Sequence, residues 1–329
     1  MGINLSKVLK PVFKLSAEAF PTMAAERFGA QEDMDRTWLT FEPVARTLVD
    51  SFYMTIDNSR FDKLVPLLDA IEPELRGIAY EGAGMGLMLL DSLFPTKKRL
   101  AAFLAGPGAH YRCLVYIGAG LVLPRVPKNP ERFTAQQDPL LGWFVIDGYG
   151  FYEGFFSWRT IVNEHAVPSR LTGYSLRAFD HGLGRSFWFS TGANVDRIIQ
   201  TIDGFPASRR PDLWSGIGLA CAYAAGVMDR AAIERLLAAA GQHRAHFAVG
   251  TAMASVFREE SHHPAPHTEL ACDVVWDRDS LEVARIADRA RQNLPESGPE
   301  PAYASWRRRI EALWLAQPDL PSTDEGKQP

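Results

Sequence analysis

Ionisable side chains gather in short segments that are unusually rich in aromatic residues. Asp147, Tyr149, Tyr152 and Glu153 stand in Asp-Gly-Tyr-Gly-Phe-Tyr-Glu-Gly; Asp180, His181 and Arg185 follow in Asp-His-Gly-Leu-Gly-Arg, and Asp212 precedes Leu213 and Trp214. A carboxyl group buried among rings has a raised pKa, and an arginine beside it can hold an enolate or a carboxylate. Asp147, Glu153, Arg185 and Asp212 are therefore the candidate catalytic residues for acid–base chemistry. Tyr149, Phe151, Tyr152, Trp158, His181 and Trp188 are the candidate ligand-binding set. Buried ion pairs that tie neighbouring elements together would use the same residue types, so a purely structural role stays open.

His262, His263, His267, Glu269, Cys272 and Asp273 form the densest set of metal-ligand types. Two histidines at i and i+4 converge on zinc only in a helix, and Pro264 and Pro266 predict a loop. The segment therefore reads as a His/Pro-rich connection, and neither a metal nor another cofactor is expected. The sequence holds no Gly-x-Ser-x-Gly elbow, Walker loop, His-Glu-x-x-His or closely spaced Asp-rich diphosphate motif. Familiar hydrolase, nucleotide and zinc-protease mechanisms lose their usual signatures.

The elements that position these residues must come from a chain of 329 residues with 47% hydrophobic and 22% charged content, which is ordinary for a folded protein. A net charge of −4 offers no general attraction to nucleic acid. Cys113, Cys221 and Cys272 are far apart and sit in apolar segments, as expected of reduced, buried thiols in a cytoplasmic protein. The longest uncharged stretch, Leu213 to Met228, has 16 residues with three glycines, too short and too polar for a transmembrane segment. Lys7, Lys10 and Lys14 alternate with apolar residues near the start, where a first helix docked on the body is expected and a surface membrane contact is the alternative. The Met-Gly-x-x-x-Ser opening formally fits a myristoylation pattern.

A repeat organises the rest. Gly-x-Gly recurs from Gly82, Gly118, Gly148, Gly182 and Gly216 and degenerates at Gly250, with intervals of 36, 30, 34, 34 and 34 residues. The 34-residue period is that of tetratricopeptide helix-turn-helix units. Trp214-x-x-Ile217-Gly218 matches the opening of such a unit and Gly226 would end its first helix, whereas Cys221 replaces the usual tyrosine. Apolar spacing predicts helices at Asp229–Ala240 and from Val195 to Ile202, and further ones at Glu42–Met54, Phe61–Ile71, Leu100–Leu104 and Leu281–Arg291, the last capped by Ser280. Nothing alternates long enough to predict a sheet.

The expected fold is all-α: a tetratricopeptide-like helical-repeat array, or α-solenoid, over about 76–260. An N-terminal helical cap over 1–75, a C-terminal helical cap over 261–316 and a disordered tail over 317–329 complete it. Val115 to Gly120 looks like a strand entering a dinucleotide turn, but the third glycine is missing and several copies argue for packing. Residues two apart on a helix point about 200° from each other, so each Gly-x-Gly clears two opposite faces for close neighbours. One remaining face carries Tyr149, Leu183 and Ile217, expected in the core. The other carries Glu81/Met85, Ile117/Leu121, Asp147/Phe151, His181/Arg185, Ser215/Leu219 and Val249/Met253, which predicts a groove for an extended, hydrophobic ligand.

Five segments also resemble an uncharacterised bacterial family labelled enediyne biosynthesis protein. They are Tyr80 to Leu87, Asp147 to Gly154, Asp180 to Ser186, Leu213 to Ala220 and His267 to Cys272, within a match of about 70 to 310. The resemblance implies a place in polyketide or related secondary metabolism and supplies no established catalytic residues. Together the two lines lead to a cytoplasmic biosynthesis protein that binds a hydrophobic polyene-like intermediate and assists its conversion. The alternative is a non-enzymatic tetratricopeptide-like scaffold for other biosynthetic proteins.

Overall fold

A computed structural model describes Lys7 and residues 16–28, 32–224, 229–295 and 298–317. The basic N-terminal segment apart from Lys7, the tail beyond Gln317, and Gly226 as a helix end all lie outside the described residues. Among the described residues there are α-helices and short helical turns and no strand. Val115 to Gly120 lies inside a helix.

Six helices make up a central row: α4 (Pro73–Leu93), α6 (Arg112–Val122), α8 (Phe144–Phe156), α9 (Tyr174–Ser190), α11 (Arg210–Tyr223) and α13 (Arg244–Ser261). Each packs on the next, α2 (Glu32–Asp57) packs on α4, and α15 (Ser280–Ala290) packs on α13. Shorter helices run between them: α3 (Phe61–Asp69), α5 (Arg99–Leu104), α7 (Pro130–Thr134), α10 (Val195–Asp203), α12 (Arg230–Ala239) and α14 (Pro266–Trp276). Among the described residues the first helix with both ends described is α1 (Ala19–Phe28) and the last is α16 (Ala302–Leu315).

Local sequence accounts for the outer helices. The Asp229 carboxylate accepts from the amides of Ala231 and Ala232 to start α12, which buries Ile233 and Leu236. Asn194 caps α10 in the same way, and Val195, Ile198 and Ile202 face inward. Two local expectations need correction. The cap of α15 is Asp279, whose Oδ1 accepts from Glu282 N at 2.7 Å, so Ser280 is already the first helical residue. The segment expected to be a loop around Pro264 and Pro266 is one only to Ala265. Proline in the first helical turn lacks only an amide that the helix does not use, so α14 starts at Pro266 and takes in His267, Glu269 and Cys272.

The glycine pairs place backbone directly on backbone. A methyl group at Gly84 would lie 2.3 Å from Val115 O, and one at Gly118 would lie 1.9 Å from Glu81 O, across the same α4–α6 contact. The pattern continues from Gly150 to Phe179 O, Gly182 to Asp147 O, Gly184 to Leu213 O, Gly216 to His181 O, Gly218 to Phe247 O and Gly250 to Ser215 O. From Gly118 onward the first glycine of each pair thus meets the preceding central helix and the second meets the following one, while Gly82 meets Leu48 O of α2. Each mid-helix glycine costs about 1 kcal/mol of helix propensity, which the close approach of two long helices offsets through many small dispersion contacts. Leu183 and Ile217 are fully buried and Tyr149 nearly so, as core residues should be.

The row curls back on itself. Arg258 Nη1 on α13 donates to Glu74 O on α4 at 2.9 Å, and Arg76 Nη1 lies 3.1 Å from His263 Nε2. Two caps cover the curled row. On one side Tyr303 of α16 packs edge-on against Phe144, with Trp306 Nε1 bonded to Ala287 O at 2.8 Å. On the other, Phe20 of α1 lies 5.0 Å from Phe155 and Phe41 of α2 lies 5.2 Å from Phe189, centroid to centroid.

Candidate functional site

Because the row curls and the N-terminal helices lie over it, the stripe expected to form a groove lines a partly covered cavity of about 60 Å³. Its wall takes Glu81 and Ile117 from the first stripe position on α4 and α6, then Phe151, Arg185 and Leu219 from the second position on α8, α9 and α11. Trp38 and Leu48 of α2 and Phe20 of α1 cover it. Glu81 and Arg185 are the two charged side chains among the described residues that line it.

Burial in this apolar wall pushes the Glu81 carboxyl up to about 7; the Asp147 charge adds to the rise and Arg185 opposes it. Arg185 is fixed from behind. Its Nη1 donates to Asp147 Oδ1 at 2.7 Å while its guanidinium carbon lies 5.1 Å from the centre of the Phe151 ring. His181 Nδ1 sits 2.6 Å from the other oxygen, Asp147 Oδ2. Burial lowers the His181 pKa more than the Asp147 contact raises it, so the imidazole is neutral and carries its proton on Nδ1, toward the carboxylate. Its Nε2 is buried without a hydrogen-bond partner, as is Ser215 Oγ at the equivalent stripe position of the next central helix. The two make no hydrogen bond to each other, so a Ser-His-Asp relay is not assembled here.

The sequence-nominated residues are distributed as follows. Phe151 and Arg185 line the cavity, and Asp147 and His181 are linked to it through Arg185. Asp212 belongs to another buried cluster, with Arg177 Nε at 2.8 Å and Arg307 Nη1 at 2.7 Å. Burial raises its pKa, but Arg307 and Arg177 together outweigh that and hold it below the ordinary carboxylate range. Glu153 lies beside Tyr149, whose hydroxyl is pushed up to about 12, by burial first and by Glu153 second. The Tyr152 hydroxyl accepts from Arg125 Nη1 at 3.2 Å. Trp188 is buried with its indole N–H unpaired. Trp158 packs edge-on against Phe28 and Phe187 and lines an open groove outside the cavity. The catalytic nomination missed Glu81, although it precedes Gly82 at the same stripe position as Asp147 and His181; that register was the available signal.

The histidine-rich segment is divided among structural contacts. His267 Nε2 lies 2.9 Å from Tyr223 O, Cys272 Sγ lies 2.9 Å from Ser255 Oγ, and Glu269 accepts from Ser280 N. No group of three His, Cys, Asp or Glu side chains converges to hold a metal among the described residues. No helix among them is long and apolar enough to cross a membrane.

Chemically, the cavity offers a carboxyl group that can donate or accept a proton near neutrality and a fixed guanidinium that can bind a carbonyl or an anion. Neither curated proteins nor solved structures yield a match to this chain. A family model described as "Protein of unknown function (DUF1702)" matches residues 7–313, and the chain belongs to that family.

Proposed function

We propose that this protein binds a hydrophobic, polyene-like intermediate of the polyketide type in its central cavity and assists the conversion of that compound by proton transfer at Glu81. The observation that carries the reading is the presence of Glu81 and Arg185 together in an otherwise apolar wall. Buried ionisable groups with shifted pKa in an apolar concavity are the usual marks of a small-molecule site. In this reading Glu81 moves the proton, Arg185 holds the carbonyl or enolate oxygen, and Asp147 with His181 keeps Arg185 in place. At about 60 Å³ the cavity takes a head group or a few atoms. A longer chain enters by displacing the covering side chains Phe20, Trp38 and Leu48. The enediyne or related natural-product setting comes from the sequence resemblance, and the cytoplasmic setting from three buried free thiols.

A scaffold is the second reading; it is supported by the central helices packing one on the next and by the outer helices α10, α12 and α14 packing on one another in the same order, as the units of a tetratricopeptide-like α-solenoid would. The test is the metabolite profile of the native host lacking the gene and complemented with wild type or Glu81→Gln. An apolar unsaturated compound that accumulates without the gene, and that folded Glu81→Gln fails to clear, is the expected result. A general fall of all products that Glu81→Gln restores would instead favour the scaffold.

A further inference from the structure

Outside the cavity, α1, the turn after α8 and α10 enclose an open groove of about 1090 Å³. Arg27, Arg159 and Arg197 line it, against one carboxylate, Glu26. Arg27 is the best placed of the three. Its guanidinium carbon lies 5.1 Å from the centre of the Phe155 ring and 5.0 Å from that of Trp158, and its Nη2 donates to Phe155 O. Its Nη1 is buried without a hydrogen-bond partner, and no carboxylate among the described residues forms an ion pair with it. Burial lowers its pKa to about 10, which still leaves it charged at neutral pH. Such a half-buried cation with a spare donor has unused capacity for an anionic oxygen.

The groove and the cavity adjoin at the end of α8, where Arg27 of the groove packs on Phe155 of the cavity. Phe155 faces the cavity and its neighbour Phe156 faces the groove. Phe20 of α1 covers the cavity at this point, 5.0 Å from the Phe155 ring and 6.1 Å from that of Phe156. Side-chain rotation of aromatic residues on a terminal helix is a small movement compared with opening the central row, whose helices touch backbone to backbone.

We propose that the ligand is an amphiphile: an apolar chain that passes Phe20 and Phe155 into the cavity, with an anionic head, carboxylate or phosphate, held in the groove by Arg27. Arg159 lies at the outer rim, where its exposed ion pair with Glu164 at 3.9 Å leaves it a weaker contribution than Arg27, and Trp158 and Phe28 pack the first carbons of the chain. This inference rests on the cavity being the ligand site and adds the chemical class of what enters it. A neutral hydrocarbon would fill the cavity equally well but leave the spare donor of Arg27 unused.

The test compares purified full-length protein binding cis-parinaric acid, a fluorescent conjugated C18 tetraene acid, with its binding of the methyl ester. The acid should bind at least about tenfold more tightly, the worth of one charge-assisted hydrogen bond in a half-buried site. The acid-to-ester ratio should collapse toward one in Arg27→Gln and fall partway in the exposed Arg159→Gln. The ratio is insensitive to a uniform loss of folded protein, and the wild-type comparison stands even if Arg27→Gln does not fold. Competition by palmitate and by hexadecyl phosphate identifies which head is preferred, and preference for either supports the proposal. Equal binding of acid and ester overturns the proposal and leaves the cavity reading intact; binding of neither removes both.

Discussion

Nδ1 of His181 lies 2.6 Å from Oδ2 of Asp147, which stands 34 residues earlier in the chain. That interval is the repeat period, so the two side chains occupy the same position on neighbouring central helices. Gly182, next to His181, brings its own backbone against Asp147 O. The close helix contact and the buried polar pair are thus products of one register. Substitutions on either side of that contact test separate parts of the arrangement.

Gly182→Ala should destabilise the protein by at least about 3 kcal/mol, because the added methyl would lie 1.8 Å from Asp147 O and force two long helices apart. Gly298→Ala should change stability by no more than about 0.5 kcal/mol, because its φ is ordinary and the added methyl would meet nothing closer than Glu300 O at 3.8 Å. Denaturant unfolding of both variants checks this. A similar cost for the two would mean that the central helices are not held at backbone contact.

Asp147→Ala leaves Arg185 buried without its carboxylate and should cost about 3–5 kcal/mol. Adding Arg185→Leu should recover at least about 1 kcal/mol relative to the sum of the single changes. A double-mutant cycle by urea unfolding measures the coupling, and simple additivity would show that the pair contributes nothing as a pair.

The carboxyl of Glu81 rises from an ordinary value near 4.5 to about 7 on folding. The folded state therefore binds this proton more tightly, and the associated stability is complete below pH 4.5 and is lost as the pH rises toward and through 7. Glu81→Gln removes that dependence. Its stability relative to wild type should increase between pH 5 and pH 8, by on the order of 3 kcal/mol at most. Unfolding curves at pH 5, 6.5 and 8 for both proteins give the comparison, and parallel pH profiles would show that Glu81 does not titrate abnormally.

Leu219→Phe projects additional carbon into the cavity and should change stability by no more than about 1.5 kcal/mol while abolishing the binding of a polyene probe. Thermal melting and fluorescence titration report the two effects separately. Undiminished binding would place the ligand elsewhere.

Burial pushes the thiols of Cys221 and Cys272 up to about 12 and that of Cys113 well above its ordinary value. All three should resist a thiol reagent at pH 8 in the native protein and react together on unfolding. A thiol that reacts at its full rate before the unfolding transition would show that its segment opens locally.

Much of the architecture is legible in the chain because it is encoded locally or at fixed spacing. Asp229 and Asn194 sit where caps are needed, and Ile198 with Ile202 and Ile233 with Leu236 repeat at helical intervals. The spacing of Gly148, Gly182 and Gly216 discloses which helices must touch, since a glycine pair has little other use in the middle of a helix. Even the stripe that faces the cavity follows from that register, including Glu81, Phe151 and Arg185.

Only the tertiary structure decided which charged groups meet where the repeat register does not relate them. Asp147 and Asp212 are both carboxylates on central helices beside aromatic residues, yet one faces Arg185 and His181 and the other faces Arg177 and Arg307. The choice depends on where α16 lands, and a contact between distant segments leaves no periodic trace in either of them. The same holds for the placing of Glu81 and Arg185 in one wall and for the partial covering of the groove by the N-terminal helices. Helix formation and neighbour spacing are near-range properties written residue by residue, whereas the curl of the row and its two caps are set by the packing of the whole apolar surface at once.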